Sequence, residues 1–167
     1  GIIENFRELR EELAGHGVNF VTETDTEIVA LLTQHYMAQG AAPVAAAKQA
    51  LSRLTGAFAL AFLFDGEDDL MIAARKGSPL AIGYGTGEMF VGSDAIALSP
   101  LTDRISYLEE GDTAVINRTS VEITDSTGAA VQRPVKTIQI DSTRIDKAGH
   151  KHFMAKEIAE QPGVLGQ

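Results

Sequence analysis

Few residues in this chain have the type and spacing to carry chemistry. Cysteine is absent from all 167 residues, so the chain itself holds no disulfide, no thiolate metal site and no thiolate nucleophile. His150 and His152 have a spacing that places both on one side of an extended segment, but two imidazoles without a third ligand do not make a metal site. His16 stands in a Gly-flanked turn and His35 on a helix, both read as structural. No Ser-His-Asp order stands out. Gly83-Tyr84-Gly85-Thr86-Gly87 is rich in glycine but lacks the GxxxxGK[ST] order, and it reads as a hairpin turn. What remains is Asp25, inside Glu23-Thr24-Asp25-Thr26-Glu27, and the glycine that opens Gly1-Ile2-Ile3-Glu4-Asn5. An acid in a first helical turn is favoured by the helix dipole, so Asp25 has a purely structural reading. Gly1 has one too, as a frayed chain end.

Elements to position these residues are legible along the chain. Asn5 is a plausible N-cap for a helix with Phe6, Leu9 and Leu13 on one face, stopped by Gly15 and Gly17. Residues 18–21 read as a short strand. Thr24 and Glu27 have capping-box spacing ahead of Ile28, Val29, Leu31, Leu32 and Tyr36, which predicts a second helix. A third runs from Pro43 to Leu54. The apolar run 57–64 predicts a strand buried on both faces. Strands follow at 70–74, 80–84 and 89–92, with turns at Gly77-Ser78-Pro79 and Gly85-Thr86-Gly87-Glu88, as in a β-meander. Ser93 and Asp94 are both placed to cap a short helix over 95–99. Residues 105–108 and 113–117 read as strands around a turn at 109–112, residues 121–124 and 130–132 as a hairpin, 134–149 as a connector, and 152–162 as a short helix stopped by Pro162. Helices followed by strands give an α+β class with helices stacked on sheet.

Composition narrows the possibilities. One domain with a substantial core suits this length, and 44% hydrophobic residues is ordinary for a globular protein. A formal net charge of −9 argues against nucleic acid or an anionic membrane as partner. No apolar run approaches the roughly 20 residues of a spanning helix, and no leader-like segment is visible.

The order Arg75…Gly77-Ser78-Pro79-Leu80…Gly83…Gly85…Glu88…Phe90…Ser93-Asp94…Ala97-Leu98 resembles the glutaminase domain of the class II glutamine amidotransferases. Gly1–Asn5, Glu23–Glu27, Leu108–Asp112 and His152–Pro162 agree with it. Gly77-Ser78-Pro79-Leu80, Ser93-Asp94 and the Lys156-Glu157-Ile158…Glu160-Gln161-Pro162 ending favour the branch that aminates fructose 6-phosphate.

The resemblance implies an N-terminal-nucleophile hydrolase-like αββα four-layer sandwich, incomplete at its N-terminal side. Residues 1–149 would be the later part of a glutaminase domain, and 150–167 a connector helix and linker toward a sugar-isomerase half. The family's N-terminal Cys serves as nucleophile, with its α-amino group as base. In the family's His-Asn-Gly-Ile-Ile-Glu-Asn motif, the residue matching Gly1 donates its backbone N–H to the oxyanion. The residue matching Asp25 binds the α-amino group of glutamine. The implied partners are glutamine and, at the other half, fructose 6-phosphate. No metal and no cofactor is implied, and the location is cytoplasmic. Apolar surface left uncovered would favour self-association into a homo-oligomer. The expected parent activity is glutamine-dependent amination of fructose 6-phosphate, the chain alone being inactive for want of Cys. Another class II amidotransferase and a non-catalytic glutaminase-like binding domain stay open as alternatives.

Overall fold

The computed structural model describes residues 2–22 and 24–139. Gly1, Glu23, the later part of the expected connector, the expected helix over 152–162, His150, His152 and the division at residue 150 lie outside the described residues.

The chain begins with β1 (Ile2–Ile3) and then lays down three helices, α1 (Phe6–Gly15), α2 (Asp25–Ala38) and α3 (Pro43–Arg53). Each forms where the pattern predicts it. Leu9 and Leu13 are the buried stripe of α1, and Pro43 opens α3, where its missing N–H costs nothing. Arg53, the last residue of α3, staples the layer together. Its guanidinium donates to the Tyr36 hydroxyl on α2 at 2.7 Å and to Glu12 on α1 at 2.7 Å. The bond from Arg53 holds the Glu12 carboxyl below its usual range.

Strands β2 (Gly56–Leu63) and β3 (Met71–Lys76) follow as an antiparallel pair in the register Phe58↔Lys76 to Leu63↔Met71. The chain then leaves that sheet. Strands β4 (Ala81–Tyr84), β5 (Met89–Gly92) and β6 (Arg104–Tyr107) belong to a second sheet, with the short helix α4 (Ala95–Leu98) between β5 and β6. Strands β7 (Thr113–Ile116), β8 (Val121–Thr124) and β9 (Ala130–Val131) return to the first. Last comes β10 (Lys136–Thr137), on the second. The orders are β1-β2-β3-β7-β8-β9 and β10-β6-β4-β5, with every named strand pair antiparallel.

Side-chain alternation along β2 separates two cores. Phe58, Leu60 and Phe62, continued by Phe64, join Leu9, Leu13, Ile28, Leu32 and Ala50 under the helices. Ala61 turns the other way, with Ala73, Ala114 and Ile116, against Leu80, Ile82, Val91 and Leu108 on the second sheet. Ala81, Ile105 and Leu98 make a third cluster on that sheet's far face, beneath α4. The architecture is α+β: a helical layer, a six-stranded sheet and a four-stranded sheet. Among the described residues, α4 is the only helix on the far side.

Several expectations need correction. Residues 18–21 form no strand. Val18 and Phe20 pack on the helical core as side chains of a turn, and the Val18 N–H closes α1 by donating to the Leu13 carbonyl. The meander is split over two sheets, and the turn at 109–112 carries the chain from one to the other rather than joining a hairpin. Within the expected connector, Lys136–Thr137 pairs with β6, whose open edge supplies the partner that the local sequence does not announce. Of the proposed caps on α4, Asp94 does the work, accepting from the Ala97 N–H at 2.7 Å. On β2, Leu60, Ala61 and Phe62 are buried in succession, but Ala57 is exposed.

Among the described glycines, Gly56 is the one most closely approached by other backbone. Its φ is +115°, and a Cβ there would lie 2.1 Å from the Ile2 carbonyl oxygen. Gly56→Ala is therefore expected to cost more than the roughly 1–2 kcal/mol of a left-handed backbone alone, because β1 must also move. Gly66→Ala, with φ +81° and nothing within 4 Å of its Cβ, isolates the backbone part. Urea midpoints of the two variants check this; equal losses would refute the close-approach argument.

Candidate functional site

The site is built where β1 crosses the start of α2. Strand β1 pairs with β2 through Ile2↔Ala57 and Ile3↔Gly56, and the Glu4 N–H donates to the Thr55 carbonyl at 2.7 Å. The Ile3 side chain is buried under the helices, which leaves its N–H facing α2. That N–H donates to Asp25 Oδ2 at 3.0 Å. Asp25 is the first residue of α2 and half-buried. Its carboxylate therefore has two local stabilisers, the helix N-terminus and a backbone amide from β1. No described residue donates to Oδ1. Of the two sequence candidates, Asp25 is bonded to β1, and Gly1 lies outside the described residues.

The capping-box reading needs correction. Thr24 sits at the N-cap of α2, yet its side chain caps nothing there. Glu27 reaches further back than a capping box would. Its carboxylate accepts from the Val21 N–H at 3.1 Å, the Thr22 N–H at 2.9 Å and the Thr22 hydroxyl at 3.1 Å. Arg10 holds the same loop from α1, donating to the Thr22 carbonyl at 3.0 Å while its guanidinium lies 4.4 Å from the Phe20 ring centre. Residues 20–22, ahead of Asp25, are thus held from both α1 and α2. Asn5 is likewise not the cap its position suggests: its side chain bonds to residues 53 and 55.

His16, His35 and the Gly85 turn form no bond with Asp25 among the described residues. The His16 and His35 rings pack 4.8 Å apart between α1 and α2. Among the described residues, no group of three or more His, Cys, Asp or Glu side chains could hold a metal ion. The turn at Gly85 is the expected hairpin, closed by the Gly85 N–H donating to the Glu88 carbonyl at 2.9 Å.

One polar cluster has no counterpart in the sequence reading. Asp112 is fully buried and accepts from Arg133 Nε and Nη2, both at 2.8 Å, and from the Glu109 N–H at 2.7 Å. Arg133 also pairs with Glu109, and its bond to Asp112 pushes its pKa up further. Arg75 donates to the Leu108 carbonyl beside them, while its buried Nε finds no partner among the described residues. A cleft of about 480 Å³ opens here between α3, β3 and the β8–β9 turn, and Asp25 is not among its walls. Nothing in the residue types announced this pairing, because Arg133 lies 21 residues beyond Asp112 and between the predicted strand 130–132 and the connector.

Residues 1–100, which carry the helical layer, β1 to β5 and α4, match the family model described as a glutamine amidotransferase domain. The chain belongs to the glutamine amidotransferase domain family. Asp25 and Gly1 both fall inside the matched residues of this amidotransferase domain. Its similar relatives include a glutamine–fructose-6-phosphate aminotransferase [isomerizing] of Bradyrhizobium diazoefficiens, 60% identical over 166 residues, which are 99% of this chain and 27% of that protein. The protein of the same name from Brucella abortus is 55% identical over 99% of the chain and 27% of its own length. That from Caulobacter vibrioides is 52% identical over 97% of the chain and 27% of its own length. The chain thus spans about a quarter of the length of these relatives. Among the described residues, no helix is long and apolar enough to cross a membrane.

The Glu27 tie yields a pH prediction. Burial opposes ionisation, but the three bonds from Val21 and Thr22 outweigh it and hold the carboxyl below its usual range. A depressed carboxylate contributes stability that is full above its unfolded pKa and is lost as pH falls through the folded one. Between pH 7 and pH 3, the Val21 and Thr22 amides are expected to lose hydrogen-exchange protection, corrected for intrinsic rates. In Glu27→Gln, that pH-dependent loss should be absent. A loss that persists in Glu27→Gln would remove Glu27 as its cause.

Proposed function

We propose that this amidotransferase domain works in glutamine-dependent amination of fructose 6-phosphate, to give glucosamine 6-phosphate, as part of a longer enzyme. The observation that carries this is the 50–60% identity to proteins of that name across nearly the whole chain. On this reading, residues 1–149 are the later part of a glutaminase domain of the αββα, N-terminal-nucleophile type, and 150–167 lead toward a sugar-isomerising half. The working location on this reading is the cytoplasm.

The roles follow the chemistry. The Asp25 carboxylate pairs with the α-ammonium of glutamine. It is suited to this because Ile3 fixes one oxygen and leaves the other for a cation. The backbone N–H of Gly1 donates to the oxygen that gains charge as the amide is attacked, a contribution that depends on preorganised position. The attacking thiolate comes from the Cys this family uses, which is not among the 167 residues.

Two outcomes test this. In the full-length enzyme, Asp25→Asn keeps the size and the acceptor for Ile3 but loses the charge. Removing a charge-assisted bond worth on the order of 1.5–3 kcal/mol should raise the glutamine KM about tenfold or more, with little change in melting temperature. An unchanged KM with a large stability loss would leave Asp25 as a helix-start residue only. The 167-residue chain by itself should release no glutamate from glutamine, and turnover surviving repurification would overturn the Cys mechanism.

A further inference from the structure

Asn5 stands at the N-cap of α1, a position its residue type favours, and does not cap. Its carboxamide instead reaches the loop between α3 and β2. Nδ2 donates to the Arg53 carbonyl at 2.7 Å, and Oδ1 accepts from the Thr55 N–H at 3.0 Å. One planar amide thus bonds two backbone groups two residues apart, some fifty positions along the chain, much as the peptide group of a neighbouring strand would. The segment it anchors is short. Strand β1 is two residues long and too short to be stable as a ladder. Its further ties are the buried Ile3 side chain, the pairing with β2, the Glu4 N–H to the Thr55 carbonyl and the Ile3 N–H to Asp25; of these, only the Glu4 bond joins Asn5 in holding its far end.

We propose that Asn5 is a positioning residue for the chemistry at Gly1: by clamping the end of β1 to Arg53 and Thr55, it sets where the strand leading from Gly1 lies against Asp25. This rests on the glutaminase reading above. Asn5 is placed to touch backbone and not substrate, so it acts through the strand. An oxyanion donor is effective only at a fixed distance from the developing charge, and a displacement of about 1 Å at a reacting centre can cost a hundredfold. Asp25 rides on α2, which Ile28 and Leu32 anchor in the core by complete burial. Loosening the clamp therefore affects turnover more than capture of the ammonium.

Asn5→Ser separates clamp from cap. A serine is a good N-cap for α1 but too short to span to residues 53 and 55. In the full-length enzyme, Asn5→Ser is expected to hold its melting temperature within a few degrees, to lower the glutaminase kcat about tenfold or more, and to change the glutamine KM less than about threefold. In the 167-residue chain it should speed hydrogen exchange at the Ile3 and Glu4 amides. Asn5→Ala and the remote cap variant Asp94→Ala calibrate general destabilisation. A folded Asn5→Ser enzyme with wild-type kcat overturns the proposal. So does a rise in KM alone, an equal loss of kcat in Asp94→Ala, or unchanged exchange at Ile3 and Glu4. A wild-type full-length protein that releases no glutamate overturns the glutaminase reading itself, and with it the role assigned here.

Discussion

Strand β2 divides its side chains between two cores, and the neighbouring layers take their positions from that division. Phe58, Leu60 and Phe62 fill the space beneath three helices, with the Phe62 and Phe64 rings stacked 6.4 Å apart. The opposite side of the six-stranded sheet carries alanine on three adjacent strands, Ala61 on β2, Ala73 on β3 and Ala114 on β7, with Ile116 and Ile123 beside them. Small residues on one sheet leave room for the larger Leu80, Ile82, Val91 and Leu108 on the other, which is how two sheets interdigitate at ordinary spacing. Truncating Phe62 would remove contacts worth about 3–5 kcal/mol, as expected for a large core side chain.

Polar ties rather than further apolar burial fix the corner where the candidate site lies. Arg53 gathers the three helices by its guanidinium, and its carbonyl receives Asn5. Asn5, Glu4 and Ile3 in turn pin a two-residue strand to Thr55, Gly56 and Asp25. Exposed ion pairs such as Glu12–Arg53 add little to stability. Their effect here is geometric, since they restrict where three backbone segments can meet.

A second polar tie governs the passage between sheets. Asp112 is buried, and a buried carboxylate is tolerated only when it is paired and hydrogen-bonded. Arg133 and the Glu109 amide satisfy both oxygens, and the Arg75 backbone exchanges hydrogen bonds with Asp112 and Gly111. The turn that carries the chain from β6 to β7 is thereby locked to the end of β3 and to the segment that follows β9. The two sheets are joined at this point by charge as well as by the apolar core.

By itself the sequence determined the helices, most strands and the turns, because each has a local cause: the Leu9–Leu13 stripe, Pro43 at a first turn, the apolar run of β2, glycine where the chain reverses. It also carried the family through its motif order, and it singled out Asp25 as a carboxylate at a helix start. Tertiary structure alone decided which sheet each strand joins. Hairpin and sheet-switching turns look alike locally, and β10 exists only because β6 offers an edge. The partners of polar side chains were decided the same way. Asn5, Thr24 and Glu27 all have the residue types of caps. Yet Asn5 bonds to Arg53 and Thr55, and Glu27 bonds to Val21 and Thr22. A short polar side chain takes whichever backbone group the packed fold brings within 3 Å, and spacing along the chain does not record what lies fifty residues away.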